Sequence, residues 1–145
     1  MAVRASSPRR CIACRKATAA VEFAIVFPIF IMMLFGIISF GAYITVVHGV
    51  QQLAAEATRA AVAGLDDGER VTLATRSIAT NVGAYPLIAA DRLTVARAVT
   101  DAATRNFSVT LRYDASDMFI FALPSFVPAP PTTVVRSASI QRGGY

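Results

Sequence analysis

The chain has 145 residues and a formal net charge of +5 at pH 7, a length that allows one small domain beside a membrane segment. The excess positive charge lies entirely in the first seventeen residues, which hold no acidic residue and contain Arg4, Arg9, Arg10, Arg15 and Lys16. The remaining arginines are balanced by acidic residues. Nucleic-acid binding requires a basic face on the folded body, so we expect no nucleic-acid partner.

An uncharged apolar stretch follows this basic leader. It runs from Phe23 to Val47, and these 25 residues would form about 37 Å of helix against a hydrocarbon thickness of about 30 Å. This length predicts a membrane-spanning helix with some tilt or overhang rather than a buried helix of a soluble protein. Because the basic cluster is directly N-terminal, the N-terminus is expected in the cytoplasm. The predicted location is the bacterial inner membrane, with a single pass and a periplasmic C-terminal domain.

Two other export signals fit less well. A cleaved secretory signal has an apolar core of only about 7–15 residues before a small-residue cleavage site, and this apolar run is longer. A lipoprotein signal is excluded because Cys11 and Cys14 both precede the apolar run. In the cytoplasm these cysteines should be reduced thiols. They lack the second pair or nearby histidine that would complete a zinc site.

The helix is predicted to continue past the membrane, from about Thr18 to Ala63. Apolar residues then recur at three- and four-residue spacing and form a narrow alanine-rich seam, which faces either a partner or the chain's own domain. These residues are Val50, Leu53, Ala54, Ala57 and Ala61. Gly64 is predicted to be the C-cap of this helix.

A second amphipathic helix is predicted from Glu69 to about Val82. Asp66 or Asp67 can cap its first amide groups. Its predicted apolar face consists of Val71, Ala74, Ile78 and Val82.

Beyond Pro86 the hydrophobic period changes to two, which predicts three short strands. The positions assigned to one face are Leu93, Val95 and Val99, then Phe107, Val109, Leu111 and Tyr113, then Val134, Ala138 and Ile140. The predicted fold is α+β, with a long N-terminal transmembrane helix that extends into a small exported domain with one further helix and a short antiparallel sheet. The expected divisions are a leader at residues 1–17, the long helix at 18–64 and an exported domain at 65–145.

An apolar segment, Met118–Phe126, lies between the last two predicted strands. It is too short to span a bilayer, and the prolines that follow it prevent a central strand. One interpretation is a loop folded over the core of the sheet. The other is an exposed apolar patch for a partner subunit, with the contacts made by Phe119, Phe121 and Phe126.

The residues do not form a catalytic constellation. The single histidine, His48, lies at the outer membrane boundary, and no Walker-type loop, nucleophile elbow or HExxH motif occurs. We therefore expect no enzymatic activity, no cofactor, no bound metal and no small-molecule substrate.

One acidic residue lies at an unusual place, because Glu22 begins the apolar run. A carboxylate inside hydrocarbon costs about 2.5–3.5 kcal/mol by insertion scales, and such residues are functional candidates. In one interpretation Glu22 lies at head-group level, neutralised by Arg15 or Lys16. In the other it pairs with a buried cation from another subunit, such as a newly exposed α-amine, and the preceding alanines let a second helix approach closely.

Three segments together resemble the TadE-like proteins, the minor pseudopilins of tight-adherence (Tad/Flp) pilus systems. These segments are Val21–Pro28, Phe35–Gly41 and Gln52–Ala61, and the resemblance covers residues 15–63. It implies that a prepilin peptidase cuts between Ala17 and Thr18, where the family usually has glycine in place of Ala17. The family also often has an acidic residue where Ser39 stands.

The resemblance further implies assembly with other pilin or pseudopilin subunits and the pilus assembly platform. After cleavage, the Thr18 amine would pair with Glu22 of a neighbouring subunit. The residues expected to mediate helix pairing are Glu22, Phe23, Pro28, Gly36 and Gly41. The alternative is an unprocessed single-pass membrane protein whose periplasmic domain binds a ligand or an envelope partner.

Overall fold

The computed structural model describes residues 9–101, 103–123 and 129–141. It confirms the predicted α+β class, with a long N-terminal helix, one further helix and a three-stranded antiparallel sheet. The elements are α1 (Arg9–Ala60), α2 (Asp67–Asn81), β1 (Leu93–Asp101), β2 (Asn106–Asp114) and β3 (Thr133–Gln141). Short 3₁₀ turns occur at Ala61–Ala63, Val82–Ala84, Ala90–Arg92 and Phe119–Ala122.

The chain divides into two compact units, Met1–Ile38 and Ser39–Tyr145. Helix α1 contributes residues to both units and continues through Pro28. The second unit, which we call the exported unit for the location that the sequence predicts, begins within α1. The reason is that the second half of α1 forms one wall of its hydrophobic core.

This wall includes the alanine-rich seam, for which the sequence left open whether it faces a partner or the chain's own domain. The core residues of α1 and of the 3₁₀ turn after it are each at most 1% exposed: Val46, Val50, Leu53, Ala54, Ala57 and Ala61. They belong to the same cluster as Phe107, Val109, Leu111 and Tyr113 of β2. The seam therefore packs within the chain's own exported unit. Small side chains let the helix approach the sheet closely, and the larger ones supply most of the buried apolar area.

Gly64 is the C-cap of the 3₁₀ turn Ala61–Ala63 that follows α1, and it has an extended conformation with φ −72° and ψ 135°. Its N–H donates to the carbonyl oxygen of Ala61 at 3.1 Å. Since these angles suit any residue, the requirement for glycine is steric. A Cβ at this position would lie 2.7 Å from Cγ and 2.9 Å from the backbone nitrogen of Arg70.

Helix α2 begins two residues earlier than predicted, with Asp66 as its N-cap. The Asp66 carboxylate accepts from the Glu69 N–H at 2.8 Å, and the Glu69 carboxylate accepts from the Leu65 N–H at 2.8 Å. These reciprocal bonds satisfy amide groups that a helix start leaves without partners.

The apolar face of α2 differs from the prediction at one position. Ala74 and Ile78 are buried as expected, but Val71 is 37% exposed. Arg70, one turn before Ala74, takes the buried place. The prediction for Val71 was wrong because the polar contacts of Arg70, described below, set the rotation of the helix.

The sheet has the order β1-β2-β3 with both pairs antiparallel. The predicted faces of β2 and β3 agree with the register, in which Val134 lies opposite Tyr113 and Ala138 opposite Val109. In β1 an irregularity between Val95 and Arg97 places an extra residue in the strand.

This bulge corrects the prediction for β1. After it, Ala98 lies opposite Val109, and Val99 lies opposite Ser108 on the other face. Because an extra residue reverses the inward and outward alternation, Val99 does not share the face of Leu93 and Val95.

Candidate functional site: the exposed half of α1

The most unusual surface in the described part of the chain is the stretch of α1 from Val21 to Ile38. Its large apolar side chains are exposed around the helix: Val21, Phe23, Ile25, Val26, Phe27, Ile29, Phe30, Met32, Met33, Leu34, Phe35, Ile37 and Ile38. This stretch is about 27 Å long, close to the hydrocarbon thickness of about 30 Å. Among the described residues, one helix is thus long and apolar enough to cross a membrane.

The end of the apolar run takes part in the core instead. Val46 is buried, and Tyr43 and Val47 pack against the same cluster. The residues that made the apolar run longer than the hydrocarbon thickness therefore lie within the exported unit. The candidate membrane-spanning stretch is therefore the part of α1 before Ser39.

Glu22 is placed at the beginning of this exposed stretch. It is exposed on α1, as are Ala19, Ala20 and Ala24 around it. Thr18 lies one helical turn before it on the same face. On the following turn the rings of Phe23 and Phe27 lie 5.2 Å apart. The structure thus presents a carboxylate among small and apolar side chains on an accessible helix surface.

The two glycines predicted to permit helix packing, Gly36 and Gly41, have free space where a Cβ atom would lie. No heavy atom of the described residues outside the local helix backbone lies within 4 Å of a Cβ built at Gly36 or Gly41. By contrast, a Cβ at Gly49 would lie 2.8 Å from Cδ1 of Ile88, so that glycine serves packing within the exported unit. Gly36 and Gly41 leave notches that a neighbouring helix could fill.

Polar contacts fix the second half of α1 along β3. The Tyr43 hydroxyl donates to the carbonyl oxygen of Pro131 at 2.9 Å, and the Gln51 side-chain amide donates to that of Ser137 at 3.2 Å. α1 and β3 therefore run in the same direction. The end of the exported unit where α1 enters is also the end where β2 finishes and β3 begins.

A buried cation joins the two helices and the sheet, and the sequence analysis missed it. The Arg70 guanidinium donates to the carbonyl oxygen of Gly64 at 2.8 Å and to the Asp67 carboxylate at 3.3 Å. Asp67 also accepts from the Thr100 hydroxyl at 2.7 Å. The three-residue spacing of Asp67 and Arg70 was a usable signal, but the carbonyl partner depends on the turn between the helices.

A second polar cluster lies at the other end of α2. The Tyr85 hydroxyl lies 3.1 Å from a carboxylate oxygen of Glu56 and 3.3 Å from the side-chain oxygen of Gln52. Partial burial, and then the hydrogen bond and negative charge of Glu56, raise the pKa of Tyr85 above its ordinary value. This cluster ties the segment after α2 to α1, which suits a structural role.

The loop between β2 and β3 combines both interpretations offered for it. Ile120 is 3% exposed, and Met118 and Phe121 pack against the core, so part of the loop covers the sheet. Phe119 is 58% exposed. Phe126, the third proposed contact residue, lies outside the described residues.

Among the described residues, no three histidine, cysteine, aspartate or glutamate side chains are arranged to bind a metal ion.

Comparison with known proteins bears on the first part of the chain. The family model described as TadE-like protein matches residues 17–59, which confirms the resemblance read from the residues. The match suggests involvement in a tight-adherence pilus system. No curated protein and no solved structure matches the chain.

Proposed function

We propose that this protein is a minor pseudopilin-like component of a tight-adherence pilus assembly or secretion machine, processed by a prepilin peptidase and assembled through its N-terminal helix. The observation that carries the proposal is the exposed stretch of α1 from Val21 to Ile38, with the carboxylate of Glu22 at its beginning. Such a surface needs lipid or other helices around it.

The family match over residues 17–59 supports the same function. The proposed cleavage lies between Ala17 and Thr18. The basic leader gives the N-terminus a cytoplasmic location by the positive-inside rule, with the exported unit in the periplasm. The peptidase then acts on the cytoplasmic side of the inner membrane.

Cleavage would create a cation suited to pair with Glu22. The new α-amine of Thr18 is positively charged at neutral pH, and it would pair with Glu22 of a neighbouring subunit. Such a pair offsets the cost of placing each charge near lipid and fixes the register of the two helices. Gly36 and Gly41 would then accommodate the neighbouring helix. The subunit acts by assembly, without chemistry of its own.

The processing step is tested by mass spectrometry of the protein extracted from membranes. The expected mature N-terminus is Thr18, and the same cells without the peptidase should retain residues 1–17. An intact leader in working pilus assemblies would contradict the proposal. It would favour the second candidate, an unprocessed anchor for a periplasmic binding domain, which the presence of Ala17 in place of the usual glycine also favours.

A further inference from the structure

An open polar cavity lies at one end of the sheet, on the face opposite the hydrophobic core. It has a volume of about 560 Å³ and is lined by the start of β1, the end of β2, the start of β3 and the turns beside them. Arg112 lies opposite Thr94, and Asp114 opposite Thr133, so these side chains share the open face. The volume falls within the range of about 300–1,000 Å³ that is typical of small-molecule sites.

Hydrogen bonds fix the wall of the cavity that follows β2. The Ser116 N–H donates to the Asp114 carboxylate at 3.0 Å. This bond, and then the bond from the Ser116 hydroxyl, lower the pKa of Asp114 below its usual value, so the carboxylate is ionised at neutral pH. Beside it, the Ala115 N–H donates to the carbonyl oxygen of Thr132 at 2.8 Å. The cavity is therefore shaped by the fold itself.

Two charged groups of the lining are left available for a ligand. Arg92 forms an ion pair with Asp117, but among the described residues no side chain hydrogen-bonds or ion-pairs with the Arg112 guanidinium or the Asp91 carboxylate. Both residues are exposed to solvent. A donor and an acceptor thus line the same cavity without being used by the fold.

The lining combines charges of both signs with hydroxyl groups. It consists of two arginines, two aspartates, three threonines and one serine. Guanidinium groups only donate, ionised carboxylates only accept, and hydroxyl groups do both. A charged ligand would meet a like charge on one side of the cavity. Neighbouring hydroxyls of a sugar, in contrast, can donate to a carboxylate and accept from a guanidinium, so the lining suits an uncharged polyhydroxyl ligand.

The open face of the sheet continues this chemistry beyond the cavity. Along β2 and β3, Thr110 lies opposite Ser137 and Ser108 lies opposite Ser139. The Thr110 hydroxyl donates to that of Ser137 at 3.1 Å. A second sugar ring that left the cavity along the sheet would therefore meet further hydroxyl groups. No aromatic ring belongs to the described lining, so stacking would add nothing and weak binding is expected.

We propose that this cavity binds a neutral saccharide, whose hydroxyl groups accept from the Arg112 guanidinium and donate to the Asp91 carboxylate. Such binding needs neither leader cleavage nor helix pairing. It therefore goes beyond the proposed function, and its failure would leave that function untouched.

Saturation-transfer difference NMR detects weak sugar binding to the full chain in nanodiscs of phosphatidylcholine, whose head group carries no hydroxyl. The neutral probes are the disaccharides maltose, cellobiose and lactose, and glucuronate is the anionic probe. Arg112→Gln and Asp91→Asn each remove one charge of the cavity at an exposed position. The matched control is Arg97→Gln, an exposed arginine on the same face, opposite Thr110 and outside the lining.

We expect saturation transfer to at least one neutral disaccharide, with a dissociation constant that rises about ten-fold in R112Q and in D91N and stays unchanged in R97Q. Stronger transfer to glucuronate than to any neutral probe would show an anion site at Arg112 and overturn the proposal. Absence of transfer to every neutral probe, or equal affinity in R112Q, D91N and R97Q, would overturn it as well. Circular dichroism of each variant checks that it is folded.

Discussion

The guanidinium of Arg70 donates to the carbonyl oxygen of Gly64 at 2.8 Å, across the turn between α1 and α2. It thereby gives a partner to a buried carbonyl group at the end of the 3₁₀ turn that follows α1. The same cation contacts Asp67, which in turn accepts from Thr100 of β1. One side chain thus connects both helices and the sheet.

Replacing Arg70 with methionine should destabilise the exported unit by about 2–3 kcal/mol, because a charged hydrogen bond is lost and a buried carbonyl is left unpaired. Arg76→Met, at an exposed position of the same helix, should change the free energy of unfolding by less than about 0.5 kcal/mol. Urea unfolding of the detergent-solubilised protein, followed by circular dichroism, measures both. Equal effects of the two variants would show that the Arg70 contact contributes little.

Gly64→Ala should also destabilise the protein, by about 1–3 kcal/mol, because the new Cβ meets the backbone of Arg70. Gly83→Ala is the matched control, since nothing among the described residues lies within 4 Å of a Cβ there and no described glycine has a positive φ. That variant should be neutral or more stable by about 0.4–1 kcal/mol. The midpoint of urea unfolding separates the two, and a neutral Gly64→Ala would disprove the steric explanation.

The raised pKa of Tyr85 makes stability depend on alkaline pH. The neutral phenol is favoured in the folded state, so its contribution is complete below the ordinary pKa of about 10 and is lost as pH rises through and above that value. Tyr85→Phe should cost about 0.5–1.5 kcal/mol at neutral pH and should flatten the decline above pH 10. Unfolding measured across this range tests the claim, which an unchanged alkaline decline in the variant would refute.

Glu22→Gln should keep membrane insertion and leader cleavage but lose most of the cross-linking to neighbouring subunits. The amide has a similar shape and lacks the charge that pairs with the Thr18 amine. Both natural cysteines precede residue 18, so a mature chain with Ala20→Cys carries one thiol and gives unambiguous cross-links.

The control for this experiment is Ile29→Ala, which removes an exposed apolar side chain of the same helix and leaves the charge in place. It should cross-link nearly as well as the parent. Full cross-linking by the Glu22→Gln variant would rule out charge pairing as the basis of assembly.

Ala17→Gly should raise the fraction of cleaved protein, since it restores the residue that the family usually has before the cut. Ala17→Leu should prevent cleavage, because a bulky side chain replaces a small one next to the scissile bond. The two forms are separated by gel mobility and identified by mass. Equal processing of both variants would place the cut elsewhere or remove the peptidase from the pathway.

The elements that the sequence predicted well are those with one strong period. The seam from Val50 to Ala61 and the alternation from Phe107 to Tyr113 both lie in the core, because each reports a single face of a regular element. Val99 and Val71 were misassigned for local reasons, a bulge in β1 and a polar anchor on α2, and neither leaves a clear periodic trace.

The candidate site followed the same rule. The apolar length and Glu22 were evident from residue types alone, since they depend on composition along one helix. How much of that run lies in the core could not be predicted, because Val46 and Val47 are as hydrophobic as the residues before them and Tyr43 carries no charge. Only contact with the sheet distinguishes them.

Because α1 supplies a whole wall of the core, the sheet and α2 cannot complete their packing on their own. A soluble fragment cut at residue 65 would expose the apolar face of β2 and should aggregate, whereas one that starts near Ser39 retains every buried contact of the unit. Under the proposed function, folding outside the membrane would therefore wait until the outer turns of the anchor had been released from the translocation machinery.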